Sequence, residues 1–165
     1  MPQHYTNDLT PALVASINEP VFTAAQLAEM NDDARALIAT QEAFHRAHPV
    51  TAIYRLAVAG SLTRRGGVAD EFNPDPEQGY KIRLEHGQWV SVLTEGCTVT
   101  YPDGSSARII SSAGSLHAYQ DRGVALVGSR LANGDEIIST PQGSCYLIAQ
   151  QGVPLPEDFL RITGA

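Results

Sequence analysis

Cysteine is scarce. Only Cys97 and Cys145 occur in 165 residues, and nothing in their spacing demands a bridge, so both read as reduced, half-buried thiols rather than a disulfide framework. Positive charge is also short: 11 Lys and Arg stand against 18 Asp and Glu, a formal charge of −7. Residues 1–50 hold six acids and two bases, and residues 51–165 hold twelve and nine. No basic stripe is available for a phosphate backbone, which argues against nucleic acid as a partner. No window approaches the ~18 apolar residues of a membrane-spanning helix. The start, Met1-Pro2-Gln3-His4-Tyr5, has no positive region followed by an apolar stretch, so no signal peptide is expected and the chain reads as one made in the cytoplasm. Gly-x-Ser-x-Gly, phosphate-cradling loops and dinucleotide fingerprints are all missing.

What is present is a repeat. Three times an apolar run meets a glycine, then a polar stretch, a second glycine and more apolar residues. The first copy runs from Leu56 through Gly60 to Gly66 and Gly67. The second runs from Val90 through Gly96 to Gly104 and Ile109-Ile110, and the third from Val124 through Gly128 to Gly134 and Ile137-Ile138. The leading glycines Gly60, Gly96 and Gly128 lie 36 and 32 residues apart. Each copy is small enough to be one hairpin that buries its apolar face only against its siblings, and three copies suggest a pseudo-threefold body. Asp103-Gly104 and Asn133-Gly134 are strong turn pairs, since both residue types tolerate positive φ. Pro102 and Pro141 are expected to fix adjacent turns.

The chain divides near Pro49. Residues 1–22, with Pro2, Pro11 and Pro20, read as an irregular arm. Thr23-Ala24-Ala25-Gln26 has capping-box spacing, and Leu27, Met30, Ala34, Leu37, Ile38 and Phe44 form one stripe, predicting an amphipathic helix over 24–47 within a 23–50 extension. Its stripe is expected to pack on the body, the other reading being a docking face for a partner. Pro49 stops the helix at His48. From there the pattern is short strands and turns over 51–150: Lys81 to Leu84 and Trp89 to Leu93 predict a hairpin, and Asn73-Pro74-Asp75-Pro76 a surface loop. Residues 151–165, with Pro154-Leu155-Pro156, read as a tail. The fold class is mainly β with an N-terminal helical extension.

Arg122-Gly123-Val124-Ala125-Leu126-Val127-Gly128-Ser129 resembles the Pro-Ala-Ala-Arg-Val-Gly-Asp signature of the PAAR-repeat family. Leu56 to Gly67 is similar to that family's opening stretch, and Tyr101 to Ile110 and Asn133 to Gln142 to its later repeats. The likeness covers roughly residues 53–142. It implies a cone-like structure that caps the blunt end of a trimeric β-helical spike in the bacterial type VI secretion apparatus, sharpening it for membrane puncture and carrying effectors. It implies export by that apparatus, only transient membrane contact, and an effector or chaperone as a partner for the helix. The role is structural: no catalysis and no cofactor are expected, and the shaping residues are Gly60, Gly66, Gly67, Gly96, Pro102, Gly104, Gly128, Gly134 and Pro141.

The family's zinc site, three histidines and one cysteine near the tip, has no counterpart. Arg65, Tyr101 and Asn133 stand at those positions, and none is a soft zinc ligand. A residual site from His86, Cys97, His117 and Cys145 has no supporting spacing, so no metal is expected. His45-x-x-His48 reads as cations at a helix C-terminus. Two other functions compete. One is a small cysteine-dependent enzyme pairing Cys97 or Cys145 with His86 or His117, with Glu95, Asp103 or Asp135 as acid–base candidates that read more simply as solvated turn carboxylates. The other is a small-ligand-binding β-barrel. Ser61, Ser105, Ser106 and Ser129 occupy turn-like positions rather than a nucleophile's strained turn.

Overall fold

The computed structural model describes residues 3–75 and 77–162, so Pro2, Pro76 and the last three residues of the expected tail lie outside the described residues. Two compact units emerge: Met1–Asn7, Tyr54–Leu147 and Leu155–Ala165 form the first, Asp8–Ile53 and Ile148–Pro154 the second. The protein is mainly β, with small sheets and few helices.

The second unit carries helices α1 (Pro11–Ile17), α2 (Ala24–Ala28) and α3 (Asp32–Ala47). The segment expected to be irregular thus contains α1. Thr10 starts it by accepting from the Leu13 N–H at 3.2 Å, and Pro11 needs no partner at the first turn. The capping box forms: Thr23 Oγ1 accepts from the Gln26 N–H and Gln26 Oε1 from the Thr23 N–H. The single helix expected over 24–47 is interrupted. Asn31 leaves helical geometry and its Oδ1 caps the Ala34 N–H at 2.8 Å, starting α3 afresh. Asp32 and Asp33 in the first turn and His45 and Arg46 in the last suit the α3 dipole.

No residue of these helices is buried. Leu37 is 60% and Phe44 46% exposed. Along the expected stripe Leu27, Met30, Ala34 and Ile38 are half-buried, whereas Leu37 and Phe44 stand exposed.

The first unit is built from strands β2 (Leu62–Thr63), β3 (Val68–Ala69), β4 (Lys81–Arg83), β5 (Trp89–Ser91), β6 (Thr98–Thr100), β7 (Ser106–Arg108), β8 (Ala118–Tyr119), β9 (Arg122–Gly123) and β10 (Ile137–Ser139), together with the end of β1 (Val50–Arg55) and the start of β11 (Tyr146–Gln150), most of whose residues belong to the second unit. Its centre is a ring. The Ala57 N–H donates to Ala125 O, Leu93 N–H to Ala57 O, and Ala125 N–H to Leu93 O, at 2.9, 2.9 and 2.8 Å. Bridges Leu56↔Leu126, Val58↔Val92 and Thr94↔Val124 join the same three segments pairwise. One step outward the pattern recurs: Ala59 bonds to Ser91 O, Glu95 to Gly123 O and Val127 to Arg55 O.

Each inner segment then enters a hairpin. These join as β10-β2-β3-β6-β7. Ile110 N–H to Arg130 O, Ala132 N–H to Arg108 O and the bridge Arg130↔Glu136 carry β7 round towards β10 again. Main-chain bonds thus run on from β10 through β2, β3, β6 and β7 and back towards β10. On the other side of the ring each inner segment pairs with a ribbon: Val92 N–H donates to Tyr80 O, Val124 N–H to His117 O and Leu56 N–H to Cys145 O. The expected hairpin is present, with Ile82 opposite Val90.

Strand alternation sorts the inner residues into two cores. Leu56, Val58, Val92, Val124 and Leu126 pack with Ile82, Leu84 and Val90 on one side. Ala57, Leu93, Ala125 and Val127 pack with Val99, Ile109, Leu131 and Ile137 on the other. Each large side chain so buried contributes about 1.5–3 kcal/mol.

Candidate functional site

The hairpins turn on glycine. Gly60, Gly96 and Gly128 have φ of 94°, 93° and 107°, and their N–H groups donate to Ala69, Ile109 and Ile137 at 2.9, 2.9 and 2.8 Å. Just after them Ser61, Cys97 and Ser129 play one role, their side chains accepting from the N–H groups of Val58, Thr94 and Leu126. At the hairpin ends Gly66, Gly104 and Gly134 have φ of 89°, 87° and 86°. Gly67 serves differently: it is buried, and a Cβ there would stand 2.5 Å from Val99 Cγ1. Pro102 lies in the turn closed by the Gly104 N–H on Tyr101 O, and Pro141 Cγ would contact a Cβ on Gly60 at 3.5 Å. Because valine disfavours positive φ strongly, Gly128→Val is expected to cost about 1–3 kcal/mol, read as a lowered thermal midpoint. An unchanged midpoint would remove the turn argument at that position.

The three hairpin ends meet around Asp135. Its Oδ1 accepts from the Arg65 N–H at 3.1 Å and the Glu136 N–H at 2.8 Å. Its Oδ2 accepts from the Tyr101 hydroxyl, and the Thr63 hydroxyl also donates to the carboxylate. Asn133 Nδ2 donates to Tyr101 Oη at 3.0 Å, and Arg65 Nη1 to Asn133 O at 2.9 Å. Asp135, expected as a solvated turn carboxylate, is only 2% exposed. Burial opposes its charge, but the Thr63 and Tyr101 hydroxyls and the two N–H groups outweigh that and hold its pKa below the usual range. Burial and the facing carboxylate push the Tyr101 phenol up. Sequence reasoning missed this hub. Its one signal was an acid directly after Asn133-Gly134, ambiguous because Asn-Gly-Asp also suits a solvated turn.

The remaining candidates stand apart. Cys97 Sγ lies 3.5 Å from the Thr94 N and 3.7 Å from its hydroxyl, while Cys145 Sγ is near Ser144 Oγ. Cys97 packs against one core cluster and Cys145 against the other. His86 Nε2 faces Gln88 Oε1 at 3.1 Å, and His117 ends a 3-10 turn. Among the described residues neither thiol is hydrogen-bonded to a histidine, and no three His, Cys, Asp or Glu side chains group to hold a metal ion. His45 and His48 hold the end of α3, His45 Nδ1 near Gln150 Nε2 at 3.2 Å and His48 Nδ1 near Gln151 O at 2.8 Å. Asp103 is spent on Ser105, whose N–H and hydroxyl lower its pKa.

Hollows open on this unit near the candidate residues. One, of about 660 Å3, has an apolar floor including Ala59, Leu84 and Val90 and a rim with His4 and Glu71. Another, of about 330 Å3, lies beside the hub against Tyr101, Pro102 and Asn133. No helix among the described residues is long and apolar enough to cross a membrane. No protein-family model, curated protein or solved structure matches the chain.

Proposed function

We propose that the β unit is a pseudo-threefold, PAAR-like spike tip that caps the blunt end of a trimeric β-helical spike of a type VI secretion apparatus. The observation that carries this reading is the ring at Ala57, Leu93 and Ala125, where each segment donates to the next in the same sense. A single chain with three like-bonded segments offers three like edges, so one copy can meet the strand ends of three identical chains. The glycine-turned hairpins form the point and the ribbons the base. Made in the bacterial cytoplasm and exported with the spike, the protein touches a membrane only in passing and works mechanically, without catalysis.

The family's zinc does not suit this point. Arg65 brings a cation, and Asp135 already accepts from Tyr101, Thr63, Arg65 and Glu136. A metal would have to displace several bonds to reach one hard oxygen donor. The Asp135 hub takes over the task of tying the three hairpin ends together. Leu37 and Phe44, exposed on α3, offer the docking face for an effector or its chaperone, as a helix in a groove.

The test is co-purification with a trimeric spike protein encoded near the gene, with stoichiometry from light scattering. One copy bound per three spike chains is expected. Three copies per trimer, or no complex with any such spike, would overturn the reading.

A further inference from the structure

The three repeats present three equivalent exit segments after their hairpins, and two of them are paired by the ends of the chain itself. Ala69, Ile109 and Ile137 accept from the three leading glycines, and three residues beyond each of them stand Phe72, Ser112 and Thr140, which therefore correspond. Thr140 is bridged by Tyr5 through two main-chain bonds, Tyr5 N–H to Thr140 O at 2.8 Å and Thr140 N–H to Tyr5 O at 3.0 Å. Ser112 O accepts from the Leu160 N–H at 2.6 Å, with Asp158 capping the Ser115 N–H and Phe159 stacked edge-on at 4.8 Å from Tyr54. Tyr5 and the segment from Asp158 to Leu160 are thus fixed to the exit segments of the third and second repeats. Thr140 and Ser112 are buried beneath them.

The third position has no such cover. Phe72 is 54% exposed, and among the described residues no main-chain bond joins it to a neighbour. We propose that this edge receives an extended, cationic and apolar segment of a partner protein, added as a short strand in the way Tyr5 adds to Thr140. Acidic residues flank this edge. Residues 70–78 hold Asp70, Glu71, Asp75 and Glu77 and no Lys or Arg. Glu71 stays ionised: burial opposes its charge, but the Ser91 and Asn73 N–H groups lower its pKa. Lys81 is the cation that acts on Glu71, and its Nζ is taken up by Asn73 O. A lysine- or arginine-bearing strand meets complementary charge there, while its alternate side chains lie on the exposed Phe72 ring. This inference does not depend on the spike reading, since it uses only the repeat equivalence.

The experiment measures fluorescence anisotropy of two labelled octapeptides, one alternating lysine and valine, the other glutamate and valine, against the full chain. Saturable binding of the lysine peptide is expected, weakening with added salt, with the glutamate peptide at least tenfold weaker. Phe72→Pro, which removes the edge N–H, is expected to weaken the lysine peptide at least tenfold. If Phe72→Pro misfolds by circular dichroism, Asp75→Asn with Glu77→Gln takes its place, with hydrogen exchange at the Phe72 amide as second readout. Protection of that amide on binding is expected. Binding that is indifferent to these changes overturns the proposal, as does no binding. A chain that dimerises without peptide and is dissociated by it overturns it too, assigning the edge to a second copy.

Discussion

Leu93→Ala should lower the unfolding free energy by about 2–5 kcal/mol, the usual cost of a large-to-small change at a fully buried site. Leu93 is wholly inaccessible, as are Ala57 and Ala125, and the three are the hydrogen-bonded ring residues of the three repeats. All three side chains enter the same core cluster, so the centre is filled by one leucine and two alanines rather than three equal residues. Three leucines would overfill it and three alanines would leave a cavity. Ala57→Leu alone should therefore destabilise through overpacking, by about 1–3 kcal/mol. Combined with Leu93→Ala it should recover much of the loss, because volume is returned to the cluster from an equivalent position. Chemical denaturation of the two single variants and the double variant checks this. Losses that merely add would mean that the two sites do not share one space.

Asp135→Ala should cost at least about 3 kcal/mol, because it strands several donors for which each lost buried partner is worth about 1–3 kcal/mol. The Tyr101 and Thr63 hydroxyls and the Arg65 and Glu136 N–H groups all lose their acceptor at once. The pH dependence follows from the directions of the shifts. Asp135 titrates below its ordinary 3.8 in the folded protein, so its contribution is complete above that value and is lost as pH falls through the folded pKa. Tyr101 titrates above its ordinary 10.0, so the phenol's contribution is complete below pH 10.0 and is lost as pH rises through its folded pKa. Thermal melts from acid to alkaline pH should show both limbs. Asp135→Asn should flatten the acid limb without abolishing it, since Glu71 is shifted in the same direction. It should also bring the alkaline limb to lower pH by removing the negative charge facing Tyr101. An acid limb unchanged by Asp135→Asn would show that the hub is not the group being titrated. A chelator should leave the wild-type melt where it is.

Much of the turn chemistry was legible because it is local. Thr23 and Gln26 form their box from neighbours three residues apart, and Gly60, Gly66, Gly96, Gly104, Gly128 and Gly134 declare their left-handed backbone by type and spacing. The helices were harder. The stripe from Leu27 to Phe44 satisfies helical periodicity straight through Asn31, yet that side chain prefers to cap a new helix, and periodicity says nothing of whether a stripe is covered. Asp135 looked like a turn residue because its environment is supplied by Thr63 and Tyr101, more than thirty residues away in sequence.

The sequence by itself determined that a β-rich body would be made of three glycine-turned copies, since φ preferences and strand alternation act over a few residues. The tertiary structure alone decided which copy bonds to which, that the ring would hold one leucine and two alanines, and that a carboxylate would sit buried between hairpin ends. It also decided that Tyr5 and Leu160 would complete two of three equivalent edges while leaving Phe72 bare. Those outcomes rest on volume, desolvation and main-chain pairing between residues far apart along the chain, and none of these has a local signature.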